Sequence, residues 1–267
     1  MSAAPNGSPP AVVRVVSLYP DVMDVYADGG NLIALGARCR RRGIEVERID
    51  VSLGDELPED ADLVLIGGGQ DREQTRVAPE LAVHGARLRA WRDDGVAMLA
   101  VCGGYQLFGR EYRTSAGVEL PGAAVFDVTT VSPAPGDPRH VGEVLAHCQL
   151  SERGALPEGG ELAGFENHAG RSYLGPGARP FARVERGRGN NGEDGTEGAF
   201  AAEAIGTYLH GPLLPRHPAL ADRLLAAALR HHYGDDAPLL EPLADPYAEA
   251  AHAVAARVAR ERAVAAP

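Results

Sequence analysis

Four short apolar runs in the first hundred residues constrain this chain most: residues 12–18 (VVRVVSL), 44–51 (IEVERIDV), 61–66 (ADLVLI) and 96–101 (VAMLAV). β-Branched and aliphatic runs of this length read as strands, and the second one alternates apolar and polar residues. Between them, residues 31–42 carry apolar side chains at helical spacing and stop at Gly43, and residues 80–94 read as a helix ended at Gly95. Glycine is a common helix terminator because it adopts the left-handed conformation without cost. Strands alternating with helices imply an α/β protein with a mainly parallel central sheet, covered by helices on both faces.

The second half is organised differently. Residues 125–131, 141–149, 181–185 and 204–209 are strand-like and separated by Pro- and Gly-rich turns. They are expected to form antiparallel strands extending the same sheet. Residues 187–198 (GRGNNGEDGTEG) read as a mobile hairpin loop. Residues 217–232 form a helix with Leu220, Leu224 and Leu225 on one face. The expected organisation is a flexible lead over 1–11, one domain over 12–235, and a partly helical extension over 236–267, with 247–262 packing on the domain or on a partner.

The bulk numbers exclude several classes. A chain of 267 residues holds one large α/β domain or two small ones, and 45% hydrophobic with 24% charged residues is an ordinary globular balance. A net charge of −11 argues against nucleic acid as a partner, since phosphate binding needs clustered cations. Arg38, Arg40, Arg41 and Arg42 do cluster, and they read as a solvated helix end. Cysteines stand only at 39, 102 and 148, which makes neither a disulfide framework nor a zinc set. No metal is expected, and a reducing cytoplasm suits the chain. The opening MSAAPNGSPP lacks the apolar core of a signal peptide, and no run approaches the roughly 20 residues of a membrane span.

The chemistry concentrates in LAVCGGYQLFG, residues 99–109. A buried strand ends at Cys102, Gly103 and Gly104 follow, and a helical stretch begins. That pattern builds a nucleophile elbow, in which glycines permit a tight turn and the following helix N-terminus stabilises a thiolate. A buried structural cysteine would look the same in isolation. A cysteine nucleophile also needs an acid–base group. His210 is the candidate, because it follows the strand-like residues 205–209 and precedes Gly211-Pro212 at a sharp turn. Backbone N–H groups of the Gly67-Gly68-Gly69 turn and of Gly103 are the candidate oxyanion donors. The phosphate-loop pattern is absent, so ATP binding by this chain is not expected.

Taken together, VCGGYQ and TYLHGP resemble the class I glutamine amidotransferases, in the branch shared with cobyric acid synthase. Four further stretches, DGGNLIAL, IGGGQDREQ, FENHAGRSYLG and GNNGEDGTEG, resemble the GatD-type glutaminase subunits of lipid II isoglutaminyl synthases. The similarity runs from about residue 13 to 233. It implies the class I amidotransferase fold, a Cys102 nucleophile and a His210 partner. It also implies glutamine binding by Arg139, Gly68, Gly69, Gly103 and Gln106. The further implication is a heterodimer with a MurT-like Mur ligase subunit, a bacterial cytoplasmic enzyme of peptidoglycan synthesis. L-Glutamine would supply ammonia, and ATP and magnesium would sit on the partner, which amidates the D-glutamate of lipid II; this chain itself would need no cofactor.

Three departures matter, one being that the stretch after Tyr233 matches less well. Ala100 stands where the usual elbow has glycine, and is small enough to leave the turn intact. Pro212 stands where standard class I enzymes place a glutamate that orients the histidine. The cobyric-acid branch lacks that glutamate too. The orienting carboxylate is then either elsewhere in this chain or on the partner, and the gap favours the partner. Two alternatives remain: a glutaminase for another synthetase, as in cobalamin or cofactor synthesis, or a non-catalytic regulatory subunit in which Cys102 is structural.

Overall fold

The apolar runs of the first half build the centre of the molecule. In the computed structural model, which describes residues 10–134, 136–150 and 160–262, they form β1 (Val12–Leu18), β2 (Glu45–Val51), β3 (Leu63–Ile66) and β4 (Ala97–Val101). β1 pairs in parallel with β2 and β3, and β3 with β4. β3 and β4 are buried along their whole length, as inner strands of a parallel sheet are. Of these four strands β2 lies at the sheet edge, which is why it alone tolerates alternating charges.

α1 (Gly30–Arg41) follows β1, and α2 (Asp71–Asp94) follows β3. α2 begins well before the expected residue 80 and runs through Pro79. Asp71 and Glu73 favour its positive end, and Val77, Ala78, Leu81 and Leu88 bury its inner face. That packing outweighs the backbone bond the proline removes. The helix ends at Gly95 with φ 95°, as the sequence predicts. A short helix, α3 (Gly103–Phe108), follows β4 directly.

The remaining elements are β5 (Glu111–Arg113), β6 (Glu119–Pro121), β7 (Val128–Val131), β8 (His140–Cys148), β9 (Glu161–His168), β10 (Arg171–Leu174), β11 (Ala182–Arg186), β12 (Thr196–Glu197), β13 (Ala199–Ala201), β14 (Ala204–Thr207), α4 (Pro218–Tyr233) and α5 (Pro246–Glu261). They correct the expectation of one extended sheet. Only β14 and β13 join the centre, giving the order β13-β14-β4-β3-β1-β2, and β14 is parallel to β4. The others close into two four-stranded sheets, β10-β7-β5-β6 and β12-β11-β8-β9. With β14 and β13 already beyond β4, the hairpins pair among themselves.

Two further expectations change. Arg38 is not solvated. It is 5% exposed, and its guanidinium donates to both carboxylate oxygens of Asp222 at 2.6 Å, with Asp245 as a second partner. α1 is thereby pinned to α4 and to the tail, and losing Asp222 would leave a buried charge short of partners. Residues 187–198 are not a loose hairpin either. Asn190 is fully buried, with its amide bonded to Thr196 and to both backbone groups of Gly198. Asn191 closes a turn on Glu193 and Asp194. The tail helix α5 lies on the outside of β8 and β9, where Ala256 and Ala259 meet Leu145 and Ala163. Residues 1–9 of the expected lead and 263–267 of the tail lie outside the described residues.

Candidate active site

β4 ends at Cys102, whose backbone turns sharply to φ 51° and ψ −106° before α3 begins. A non-glycine residue in that region costs on the order of 1–3 kcal/mol and persists only where its surroundings enforce it. Here the Cys102 N–H donates to Thr207 O at 2.8 Å and the Gly104 N–H to Gly67 O at 3.1 Å. A side chain on Gly103 would meet Gly69 N and O at 2.7 Å, so glycine is required for this close approach.

β14 lies beside β4, so the chain leaving it delivers His210 to the same edge. His210 is 1% exposed and wedged between the Tyr26 and Phe165 rings at 4.9 and 5.4 Å. Its Nδ1 sits 3.1 Å from Asp28 Oδ1. Nε2, buried without a hydrogen-bond partner, is the nitrogen left to meet Cys102. Burial disfavours a charge on this imidazole, but Cys102 and Asp28 outweigh it and hold its pKa above the ordinary value.

The carboxylate facing His210 therefore comes from this chain, not from a partner. Asp28 lies in the DGGN stretch, after Tyr26 and Ala27, which both take left-handed conformations. Its second oxygen accepts the Gly68 N–H at 2.8 Å. This corrects one expectation: the Gly68 N–H holds Asp28 and is not available to substrate. Glycine at 68 is needed for room, since a Cβ there would lie 3.2 Å from His210 Cε1 and 3.4 Å from Cys102 Cβ. The N–H groups of Gly69 and Gly103 donate to no backbone acceptor among the described residues and remain candidate oxyanion donors.

Cys102 opens into a cleft of about 480 Å³. Gly69, Gln106, Arg139, Asn167 and His168 also line it. Arg139 donates to the side-chain and backbone oxygens of Asn167 at 3.1 and 3.0 Å, which steadies its guanidinium at the cleft wall. Asn167 in turn donates to the Tyr26 hydroxyl. Gln106 lines the cleft, but both ends of its amide are used internally. Its oxygen accepts from Gln74 at 2.9 Å and its nitrogen donates to Tyr208 at 3.1 Å. Gln74 also donates to Gly69 O, so this chain of amides braces the glycine turn. Asp28, Gln74, Asn167 and Tyr208 were not singled out from sequence, although all four lie in stretches that carried the resemblance.

Two buried glutamates stand behind the site. Glu197 has no exposed surface, and it accepts from the Thr207 hydroxyl and the Tyr208 N–H. Burial outweighs these bonds and raises its pKa to about 7, as it does for Glu166. A carboxyl that titrates higher when folded binds more protons in the folded state between about 4.5 and about 7. Stability is then lost as pH rises through that window, on the order of 3 kcal/mol for Glu197. Glu197→Gln keeps the acceptor and removes the charge, so it should shrink the drop in urea midpoint between pH 5 and pH 8. An unchanged drop would rule Glu197 out as its source.

Similarity to known proteins identifies the family. A family model described as a CobB/CobQ-like glutamine amidotransferase domain matches residues 14–218. The GatD subunit of lipid II isoglutaminyl synthase (glutamine-hydrolyzing) from Staphylococcus aureus (strain N315) is 36% identical, over 81% of this chain and 84% of that one. Its counterpart from Streptococcus pneumoniae is 34% identical over 86% of each. A crystal structure of a glutamine amidotransferase, 19% identical, superposes with a TM-score of 0.54 over 80% of this chain and 98% of its own, a likeness of fold. With the strand-end cysteine, the histidine beside it and the family match over most of its length, the chain belongs to the CobB/CobQ-like glutamine amidotransferases.

Proposed function

We propose that this chain is the glutaminase subunit of a lipid II isoglutaminyl synthase. The observation that carries the chemistry is the convergence of Cys102, His210 and Asp28 at one end of a cleft bearing Arg139. The Arg139 guanidinium, steadied by Asn167, suits the α-carboxylate of glutamine. The Cys102 sulfur attacks the side-chain amide carbon while the N–H groups of Gly69 and Gly103 meet the charge on its oxygen. His210 gives a proton to the nitrogen as the C–N bond breaks, releasing ammonia and leaving a Cys102 thioester. Water, losing a proton to His210, then splits the thioester to glutamate and restores the thiol.

The ammonia goes to a MurT-like ligase subunit, where ATP and magnesium reside, for amidation of the D-glutamate of lipid II. The two GatD relatives support this acceptor, since both align over most of their length. No helix among the described residues is long and apolar enough to cross a membrane. The test is release of glutamate from glutamine by the purified chain, alone and with its ligase partner, alongside formation of amidated lipid II. Glutamate release with amidation supports the reading. Release without amidation by any MurT-like partner points to another synthetase, and no release by folded protein in either condition overturns it.

A further inference from the structure

His140 opens β8 and His168 closes β9, and strand pairing sets them opposite each other. Glu166 lies two residues before His168 and so faces the same side of the strand. All three are buried, at 8%, 2% and 1% exposure. Their lone pairs are unusually free. His168 Nδ1 is 2.8 Å from Gly170 O and must donate to it, which leaves Nε2 as an acceptor, buried and unpartnered. His140 bonds the Gly189 backbone through one nitrogen, and its Nδ1 is likewise buried and unpartnered. Glu166 accepts from the Arg188 and Gly189 N–H groups, and its Oε2 lies 3.7 Å from His168 Nε2. Acceptors thus converge, all within 4.8 Å of one another, in a place where unmatched polar atoms are costly.

We propose that His140 Nδ1, Glu166 Oε2 and His168 Nε2 bind one divalent transition-metal ion of the zinc class. Two imidazoles and a carboxylate form a zinc set, and ligating histidines commonly donate their other nitrogen to a backbone carbonyl, as both do here. Burial also keeps both imidazoles neutral well below pH 6.5. Calcium and magnesium are disfavoured, because they need several oxygen ligands and this site offers one carboxylate. Arg171 and Arg188 add positive charge nearby, which moderates the affinity. Zinc bond lengths would draw the donor atoms to about 3.4 Å apart, so binding tightens the join between β8 and β9.

That join matters to the cleft. Arg139 immediately precedes His140, and Asn167 stands between Glu166 and His168. Alternation along β9 turns Asn167 away from Glu166 and His168, while His168 itself also borders the cleft. If the proposed glutaminase reading holds, the ion positions that pair, and removing it raises KM for glutamine several-fold with little change in kcat.

The binding test does not depend on activity. The full chain carrying Cys102→Ala, which removes the competing thiol, is titrated with cobalt(II) and with zinc. The expected result is one ion bound, visible cobalt ligand-field bands and a raised melting temperature. All three should weaken by more than about 100-fold in affinity when His140→Leu or Glu166→Gln is added. Folding of each variant is checked by circular dichroism. Uptake equal in the variants and their parent overturns the site and leaves a proton on Glu166 as what satisfies the cluster. Uptake with an unchanged KM in protein retaining Cys102 overturns only the positioning role.

Discussion

Cys102→Ala should lower glutamine hydrolysis by at least about 10⁴-fold, with or without a partner, while the protein stays folded. Alanine removes the sulfur, and no other cysteine lies in the cleft. Cys39 and Cys148 are buried elsewhere, with burial pushing both thiols up. The substitution also separates strain from chemistry. Alanine must hold the same left-handed turn, so the melting temperature should barely move. Steady-state ammonia release and a thermal melt read the two effects. Retention of more than a hundredth of the activity would sink the nucleophile assignment.

Asp28→Asn should cost about 10³-fold in kcat, and it should do so in the isolated chain. Asparagine fills the same space, and its oxygen can still accept the Gly68 N–H. Its amide N–H₂ would then face His210 Nδ1, which sits 3.1 Å from the carboxylate in the native site. Nδ1 must become an acceptor, and the proton moves to Nε2. That is the wrong tautomer for taking a proton from Cys102. The His210 pKa, raised in part by Asp28, should fall as well, shifting the acid limb of the pH–rate profile downward. A partner-supplied carboxylate makes a different forecast: little effect in the isolated chain and rescue on assembly. A loss below tenfold would favour that account.

Much of the architecture was legible in the sequence. The four apolar runs and the glycines at 43 and 95 are local features, and local features found β1 to β4 and the ends of α1 and α2. Three kinds of information were not local. β9 (ELAGFENH) has glycine and polar residues and becomes a strand because it pairs with β8 along its full length. The edge taken by each later hairpin depends on β14 having claimed the side of β4, which no periodicity encodes. Asp28 reaches His210 across 182 positions of sequence, through a turn strained at Tyr26 and Ala27. Arg38 misled for a related reason, because its partners Asp222 and Asp245 come from distant segments. By contrast Cys102 and His210 each carry their own short motif and come to one sheet edge, while Arg139, indicated only by the resemblance, lines the same cleft as Cys102.

The adjacency of β4 and β14 has a consequence for biosynthesis. β4 is complete at Val101, but the strand that covers its outer edge ends at Thr207. At about 5–20 residues per second, a ribosome takes on the order of 5–20 s to make that intervening stretch. Throughout that interval the nascent chain carries an apolar strand, AMLAV, with one unpaired edge. An apolar strand edge is therefore exposed before the surroundings of Cys102 are complete, and a holding chaperone should engage it during translation.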